Sequence, residues 1–359
     1  MKRSFFSLFG LVLALFYFTG CSGATEDKIS PVAETAKAGK TAWTKTELKD
    51  KTWNSLYSRL LKDGFSEKDL NKYFVQLENE FSQKPMGNKV KELYTASFVR
   101  KKKATQDKNK PKTKPAANKL GIPYPWYPGY VTEENAQKCI KFLSENEEYF
   151  ALAEKKYTVP KEVISALIYV ETWHGKFLGK FNPLPMLASM SISTDLSMLP
   201  NYTAKLNLTQ AQKNYLQEKI KVKADWAYNE LKALLRYAIK NNIDINTVPS
   251  SIYGAIGYGQ FMPSNIPLYG IDANKDGKID LFDPPDAILS VAKFLHTQGW
   301  KHRNIDFNKQ VKVIKRYNHS TAYANTILAL AKLTGQTPQT GTNSITASKN
   351  TKDKDNVRN

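Results

Sequence analysis

The sequence predicts a mainly α-helical protein made of a small N-terminal helical domain and a larger helical core. Through most of the chain, apolar residues recur at intervals of three and four, the spacing of a helix with one buried face. The alternation typical of strands is nearly absent. The chain has 359 residues, 41% of them hydrophobic, which is enough to bury substantial cores. It has only two cysteines, so it is not a small disulfide-stapled scaffold.

Residues 1–20 have the features of a secretory signal. Two basic residues precede an apolar run at 5–18, and small residues follow it up to Cys21. The run is about 14 residues long, shorter than the roughly 20 of a membrane-spanning helix. The residues before Cys21 resemble a bacterial lipobox, although Phe18 stands where that motif usually has Leu. We expect export and lipidation of Cys21; the alternative is an ordinary signal peptide followed by a coincidental cysteine.

The rest of the chain divides by composition into five segments. We expect a polar tether at 21–42, a small helical domain at 43–99, a linker rich in lysine and proline at 100–119, the helical core at 120–335 and a disordered tail at 336–359. Helical spacing is clearest within the core at 133–155, 160–173, 209–240, 284–298 and 322–333. The linker is either an adhesive segment for an anionic polymer or a plain soluble spacer.

A net charge of +20 predicts a polyanionic neighbour. Nucleic acid, anionic lipid headgroups and anionic cell-wall polymer are the three candidates. An exported protein does not meet chromosomal DNA, so the predicted signal favours envelope polymers and argues against a nucleic-acid partner.

The helix predicted at 160–173 contains the first candidate catalytic residue. It is apolar on nearly all sides, so we expect it to be buried. Glu171 follows Ile164 and Ile168 at helical spacing, which places a carboxyl on an apolar stripe near the helix end. Burial and the helix dipole should both raise its pKa toward the roughly 6 to 7 that suits a general acid. A Glu that turns outward into solvent is the alternative.

A glycine-rich segment at 250–265 contains further candidates. Its glycines permit close backbone approach, while Tyr258 and Phe261 offer rings that can stack on sugars. Gln260 offers both a donor and an acceptor for hydroxyl or acetamido groups. Tight helix packing uses the same residue types, so the segment alone does not decide between the two interpretations.

The segment 316–324 places three polar residues near the start of an apolar helix. These are Tyr317, Asn318 and Tyr323. Asn318 is also a common helix-capping residue, which is its alternative interpretation.

Together these segments resemble the membrane-bound lytic transglycosylase B family, glycoside-cleaving relatives of goose-type lysozyme. The likeness covers about 130–333. It rests on Val170-Glu171-Thr172 with Gly175, the run 254–264, Gly299-Trp300 and the run 316–320. The resemblance implies a lysozyme-like helical core in which Glu171 is the single catalytic acid/base. The glycan-binding residues it implies are Tyr258, Gln260, Phe261, Tyr317, Asn318 and Tyr323.

Two departures from the family pattern stand out. Trp173 occupies the position where the family has Arg, which would alter contacts in the cleft. The stretch between Trp300 and Arg316 is too short for the small β-domain that some members have there. We therefore expect an all-helical, more open version of the fold.

The reaction implied by the resemblance is cleavage of the MurNAc–GlcNAc β-1,4 bond of peptidoglycan with formation of 1,6-anhydro-MurNAc. Most glycosidases use two carboxylates, but no second acid stands near Glu171 or within the other motifs. The family solution is assistance by the substrate N-acetyl group. A hydrolytic muramidase and a non-catalytic murein-binding lipoprotein remain as alternatives. We expect a monomer in the bacterial cell envelope, anchored by a lipid on the periplasmic face, with the outer membrane favoured.

An acidic loop beginning at Asp272 is typical of an EF-hand-like calcium site. Acids or an amide occupy positions 1, 3 and 5, Gly277 allows the sharp turn at position 6, and a backbone carbonyl follows at position 7. Position 12 is Asp283, which also suits an N-cap. Asp286, three residues later, is the alternative closing ligand, as the resemblance to similar transglycosylases implies. The predicted ligands of a structural Ca²⁺ are Asp272, Asn274, Asp276, Lys278, Asp283 and Asp286.

Other chemistries find little support in the sequence. The four histidines lack zinc-peptidase spacing, and no G-x-S-x-G nucleophile motif is present. Cys139 lies in an apolar helical pattern, where a buried small hydrophobe is the favoured interpretation.

Overall fold

A computed structural model describes residues 51–77, 80–99 and 118–338. Within these ranges the protein is helical without a β-strand; the only extended pairings are isolated bridges that join Phe181, Ser250, Ile256 and Phe261. The mainly α prediction is confirmed. The helices are α1 (Asn54–Lys62), α2 (Glu67–Phe74), α3 (Lys84–Tyr94), α4 (Glu133–Glu145), α5 (Glu147–Tyr157), α6 (Lys161–Thr172), α7 (Pro183–Ile192), α8 (Pro200–Thr203), α9 (Gln210–Asn241), α10 (Ile266–Tyr269), α11 (Pro284–Thr297), α12 (Phe307–Tyr317) and α13 (Thr321–Gln336).

Local capping accounts for where several helices begin. Thr209 and Gln212 form a reciprocal capping box at the start of α9, and the Asp306 side chain accepts from the backbone N–H of Lys309 at the start of α12. The helix predicted at 133–155 is broken into α4 and α5 at Asn146, whose side chain donates to the Phe142 carbonyl at 3.0 Å. A short polar residue that bonds to its own backbone offers this kind of stop.

Helix α6 is the centre of the core. Its residues from Val163 to Val170 are all buried, and it packs against α4, α5, α11 and α13. An apolar helix surrounded by other helices buries its side chains on every face, as the sequence pattern predicted. The last turn of α6 emerges at the edge of this core and carries Glu171 there.

The N-terminal helices pack directly on the core. Helix α3 contacts α7, α8 and α9, and the apolar residues of 51–99 belong to the same hydrophobic cluster as those of the core. Polar contacts reinforce the junction: Lys232 pairs with Asp63 at 2.7 Å, and the Tyr253 hydroxyl donates to Glu92. The predicted boundary between the two units falls in the linker, most of which lies outside the described residues.

Several sequence predictions concern residues that the structure does not describe. The signal segment, Cys21 and the tether lie outside the described ranges, as does the tail beyond residue 338. Among the helices that are described, none is long and apolar enough to cross a membrane.

Candidate active site

Glu171 is held at the end of α6 by a hydrogen bond from a buried tyrosine. The hydroxyl of Tyr323, a residue with no exposed surface, donates to Oε1 of Glu171. Burial disfavours the charged carboxylate and raises the pKa of Glu171 to about 7, while the bond from Tyr323 acts in the opposite direction. Near neutral pH the group is therefore poised to donate a proton and to accept one.

Among the residues that the structure describes, no Asp or Glu contributes to the pKa of Glu171. Burial and the Tyr323 bond are the causes of its pKa shift. A pair of carboxylates across a scissile bond would perturb each other electrostatically. The arrangement therefore suits chemistry that one carboxyl group can perform.

Four tyrosines surround this carboxyl. Burial, together with the charge of Glu171, raises the pKa of Tyr127, Tyr130, Tyr317 and Tyr323. The Tyr127 ring lies 6.4 Å from that of Tyr323 and 6.0 Å from that of Tyr130, both edge-on. The phenols stay neutral at physiological pH, so each keeps the hydroxyl hydrogen that it can donate.

The glycine-rich segment is tied to the end of α6. The Thr172 hydroxyl donates to the carbonyl of Tyr258 at 2.8 Å, and the Tyr258 backbone N–H donates to the Leu281 carbonyl at 2.9 Å. The Tyr258 ring lies so close to Gly175 that a Cβ there would be 2.3 Å from it. Tyr258 is thus fixed over the turn that follows Glu171.

Gln260 is partly committed to the fold of its own loop. Its backbone is left-handed, with φ of 50°, and its side-chain amide donates to the carbonyls of Gly257 at 3.1 Å and Leu178 at 3.3 Å. Both of these bonds use the side-chain nitrogen, so the side-chain oxygen, an acceptor, takes part in neither.

Phe261 lies beneath the site surface. It is 3% exposed, and its ring centroid is 5.7 Å from that of Tyr317 and 6.1 Å from that of Phe294. The Tyr317 hydroxyl in turn donates to the Gly259 carbonyl. Phe261 therefore supports Tyr317 from below, and the contact joins the glycine-rich segment to α12.

Asn318 shapes the turn between α12 and α13. It is buried, and its side-chain oxygen accepts from the Ser320 backbone N–H at 3.2 Å. Ser320 in turn caps α13 by accepting from the N–H of Tyr323. Ser320, and not Asn318, is thus the N-cap of α13, and Asn318 holds Ser320 in the turn that joins the two helices.

Three residues near the site were absent from the predicted set. Tyr127 and Tyr130 belong to a proline-rich stretch whose several aromatic residues did not indicate which of them face Glu171. Glu230 lies in the middle of α9 and is 4% exposed; its two carboxyl oxygens accept from the hydroxyl of Ser264 at 2.7 Å and from its N–H at 2.9 Å. It anchors the end of the glycine-rich segment, and its sequence context carries no signal of that role.

The acidic loop forms a compact turn. Asp272 accepts from the N–H groups of Asp276 at 3.1 Å and Gly277 at 3.0 Å, and the Asn274 amide donates to Asp283 at 2.9 Å. Asp286 is fully buried and accepts from the backbone N–H groups of Ala273 and Asp280, both at 2.7 Å.

The donors of this loop have the right chemistry for a hard cation. Carboxylate, amide and carbonyl oxygens are the ligands that Ca²⁺ prefers. Within the described ranges, however, no three His, Cys, Asp or Glu side chains converge as a metal-binding group. Asp286 links the two ends of the loop as a hydrogen-bond acceptor, so side-chain rotations around a preformed turn would be needed to surround an ion.

Comparison with known proteins identifies the family of the chain. The model of the transglycosylase SLT domain family matches residues 49–308, which include the described N-terminal helices and the core as far as the start of α12. The membrane-bound lytic murein transglycosylase B of Escherichia coli (strain K12) is 32% identical over 212 residues, 58% of this chain and 51% of that protein. The chain thus spans about half the length of this curated relative.

At least one solved structure shares the fold. SltB3 from Pseudomonas aeruginosa, crystallised in complex with NAG-anhNAM-pentapeptide, aligns with a TM-score of 0.51 at 16% identity over 77% of each chain. The lytic transglycosylase Slt35 of Escherichia coli, solved in complex with calcium, aligns with a TM-score of 0.49 at 22% identity, over 70% of this chain and 93% of that one.

Proposed function

Because the chain belongs to the transglycosylase SLT domain family, we propose that it is a lytic transglycosylase that cleaves the MurNAc–GlcNAc β-1,4 bond of peptidoglycan. The observation that carries the proposal is Glu171 itself: a single carboxyl with a pKa raised to about 7 by burial, set among tyrosines. Such a group can act first as an acid and then as a base in one reaction.

The first step is protonation of the leaving oxygen. The Tyr323 hydroxyl occupies Oε1 of Glu171, so Oε2 is the oxygen that delivers the proton to the glycosidic oxygen. The bond from that oxygen to C1 of MurNAc breaks, and the GlcNAc side leaves as an alcohol. The carbonyl oxygen of the MurNAc N-acetyl group bonds to C1 and takes the place of a carboxylate nucleophile.

The second step returns Glu171 to its starting state. The carboxylate accepts the proton of the muramyl 6-hydroxyl while that oxygen attacks C1 and displaces the acetamido oxygen. A 1,6-anhydro ring forms, Glu171 is protonated again, and no water is consumed. One carboxyl therefore completes the cycle, in keeping with the absence of a second acid that affects Glu171 among the described residues.

The proposed glycan site is completed by Tyr258, Gln260 and Tyr317. Phe261 and Asn318 support it from inside the protein. The half-buried rings of Tyr258 and Tyr317 provide surface for a sugar, and the Gln260 oxygen accepts from a sugar hydroxyl or acetamido N–H. Phe261 and Asn318 act through the tyrosines that they position.

Digestion of isolated murein tests the proposal. The chain and its Glu171→Gln variant are each incubated with murein, and the released muropeptides are weighed by mass spectrometry. Muramyl products lighter by one water, from the chain with Glu171 only, are the expected result. Reducing ends would identify a muramidase, and no product from either protein would favour a binding protein.

We further propose that the acidic loop binds a structural Ca²⁺ through Asp272, Asn274, Asp276, the Lys278 carbonyl and Asp283, with Asp286 bracing the loop from inside. The support is an all-oxygen donor set on one compact turn. When bound, the ion would supply rigidity to the loop. Calcium is expected to raise the melting temperature of the chain and not that of Asp276→Ala, whereas Asp225→Ala, an exposed acid on α9, should respond like the parent.

For the location we propose a lipid anchor at Cys21 that holds the enzyme at the periplasmic face of the outer membrane. The support is the short apolar run ending at Cys21 and the excess of positive charge. The chain should incorporate labelled palmitate and fractionate with membranes. Cys21→Ser should do neither; labelling of that variant would contradict the anchor.

A further inference from the structure

The turn after Glu171 holds a tryptophan in an unfavourable backbone conformation. Trp173 ends α6 with φ of 52°, and the next residues, His174 and Gly175, are also left-handed at 55° and 80°. Helix ends of this kind usually carry glycine, because a side chain crowds the left-handed backbone. A bulky residue at such a position points to a role for its side chain.

Burial does not account for this tryptophan. Trp173 is 41% exposed, whereas Trp53 and Trp300 have no exposed surface. A helix-ending turn that served only the fold would be better made by glycine, and a core tryptophan would be covered. The indole of Trp173 instead presents a large apolar surface to solvent two residues after the proposed acid.

Two neighbours hold the indole in place. Its ring centroid lies 6.3 Å from that of Phe177, and burial raises the pKa of Tyr130 while a side-chain hydrogen bond with Trp173 lowers it. The Tyr130 ring packs 6.0 Å from the ring of Tyr127, which lies 6.4 Å from Tyr323, the donor to Glu171. The tyrosine is therefore close to both the carboxyl and the indole, which places the exposed ring at the rim of the same site.

We propose that Trp173 is a stacking platform for an uncharged sugar ring next to the bond that Glu171 cleaves, and that it sets which glycans the site prefers. The inference rests on the proposed function. A flat, rigid indole matches the C–H face of a β-linked pyranose, and its two side-chain torsions cost little to order. It has no charge with which to recognise a carboxylate. The Arg that the related family has at this position would instead pair with an acidic substituent.

The test measures binding of a β-1,4-linked GlcNAc pentamer, which carries no charge. Calorimetry measures its binding to the full chain in detergent. Every protein tested also carries Glu171→Gln, which prevents turnover. Trp173→Ala is expected to weaken binding about tenfold and Trp173→Phe by less, because the smaller ring keeps part of the stacking surface. Trp226→Phe, on α9, is the matched control and should bind like the parent.

Trp173→Gly separates a binding role from a structural one. Glycine suits the left-handed turn, so this variant should keep its melting temperature while losing as much affinity as Trp173→Ala. A melting temperature lower by more than about 5 °C would make the side chain structural and overturn the proposal. Unchanged affinity in Trp173→Ala, or no binding by the parent, would overturn it as well.

A murein digest distinguishes this failure from failure of the proposed function. Tenfold weaker pentamer binding in Trp173→Ala, with no anhydro product from the chain that retains Glu171, would support the platform and refute the transglycosylase. Anhydro products together with unchanged binding in Trp173→Ala would do the reverse.

Discussion

The hydrogen bond from Tyr323 to Glu171 leads to a sharp prediction about pH dependence. The bond favours the ionised carboxylate and opposes the effect of burial, and the balance leaves the pKa of Glu171 at about 7. Tyr323→Phe removes the donor and keeps the buried ring. The pKa of Glu171 is then expected to rise, because only burial remains to act on it.

The size of this shift follows from the strength of the lost bond. A hydrogen bond to a charged acceptor contributes about 1.5 kcal/mol at the lower end of its range. One pKa unit corresponds to about 1.4 kcal/mol, so the pKa of Glu171 should rise by about one unit. In the proposed mechanism protonated Glu171 is the active form, so kcat/KM is expected to fall as pH rises through this pKa. The midpoint of that fall should move upward by the same amount.

The assay is a pH profile of kcat/KM with a soluble glycan across the neutral and mildly alkaline range. Tyr317→Phe is the matched control, since its hydroxyl donates to the Gly259 carbonyl and not to Glu171. Its activity can fall, but the midpoint should stay where the parent has it. An unmoved or lowered midpoint in Tyr323→Phe, or an equal shift in Tyr317→Phe, would refute the reasoning.

Three further predictions concern stability. Gly175→Ala places a Cβ 2.3 Å from the Tyr258 ring at a residue whose φ is 80°. It should lower the free energy of unfolding, measured by chemical denaturation, by about 2–4 kcal/mol. An unchanged free energy of unfolding would mean that the ring is free to move. Glu230→Ala removes the acceptor of two Ser264 donors and should lower the free energy of unfolding by about 2 kcal/mol or more, which thermal unfolding would reveal. Burial lowers the pKa of His174 from 6.5 to about 4 in the folded protein. As pH drops from about 6.5 to about 4, this histidine binds a proton in the unfolded chain but not in the folded one. The free energy of unfolding should therefore fall over this range. Denaturation curves of His174→Gln should lose that part of the pH dependence.

Helical periodicity was sufficient to predict most of the core. It located α6, α9, α11 and α13 to within a few residues because each buries one or more faces against other helices. It did not predict α7 and α12. Helix α7 begins Pro-Leu-Pro and has no charged residue, so it lacks the polar face that marks a surface helix. Helix α12 buries only Val313 and Ile314.

The raised pKa of Glu171 followed from local sequence alone. Its position on an apolar stripe predicted burial, and burial is the main cause of the shift. The tyrosines were harder to assign, because which of them meet Glu171 depends on how α4, α6 and α13 pack together. Glu230 and the contact of α3 with the core depend in the same way on pairings of residues far apart in sequence, for which periodicity holds no information.

The most direct test of the single-carboxyl mechanism is to digest murein in water enriched in ¹⁸O and to weigh the new muramyl ends. If Glu171 donates a proton to the leaving oxygen and then accepts one from the muramyl 6-hydroxyl, the products are lighter by one water and contain no ¹⁸O. Muramyl ends that carry ¹⁸O would show that water, and not the 6-hydroxyl, attacks C1, and would contradict the account.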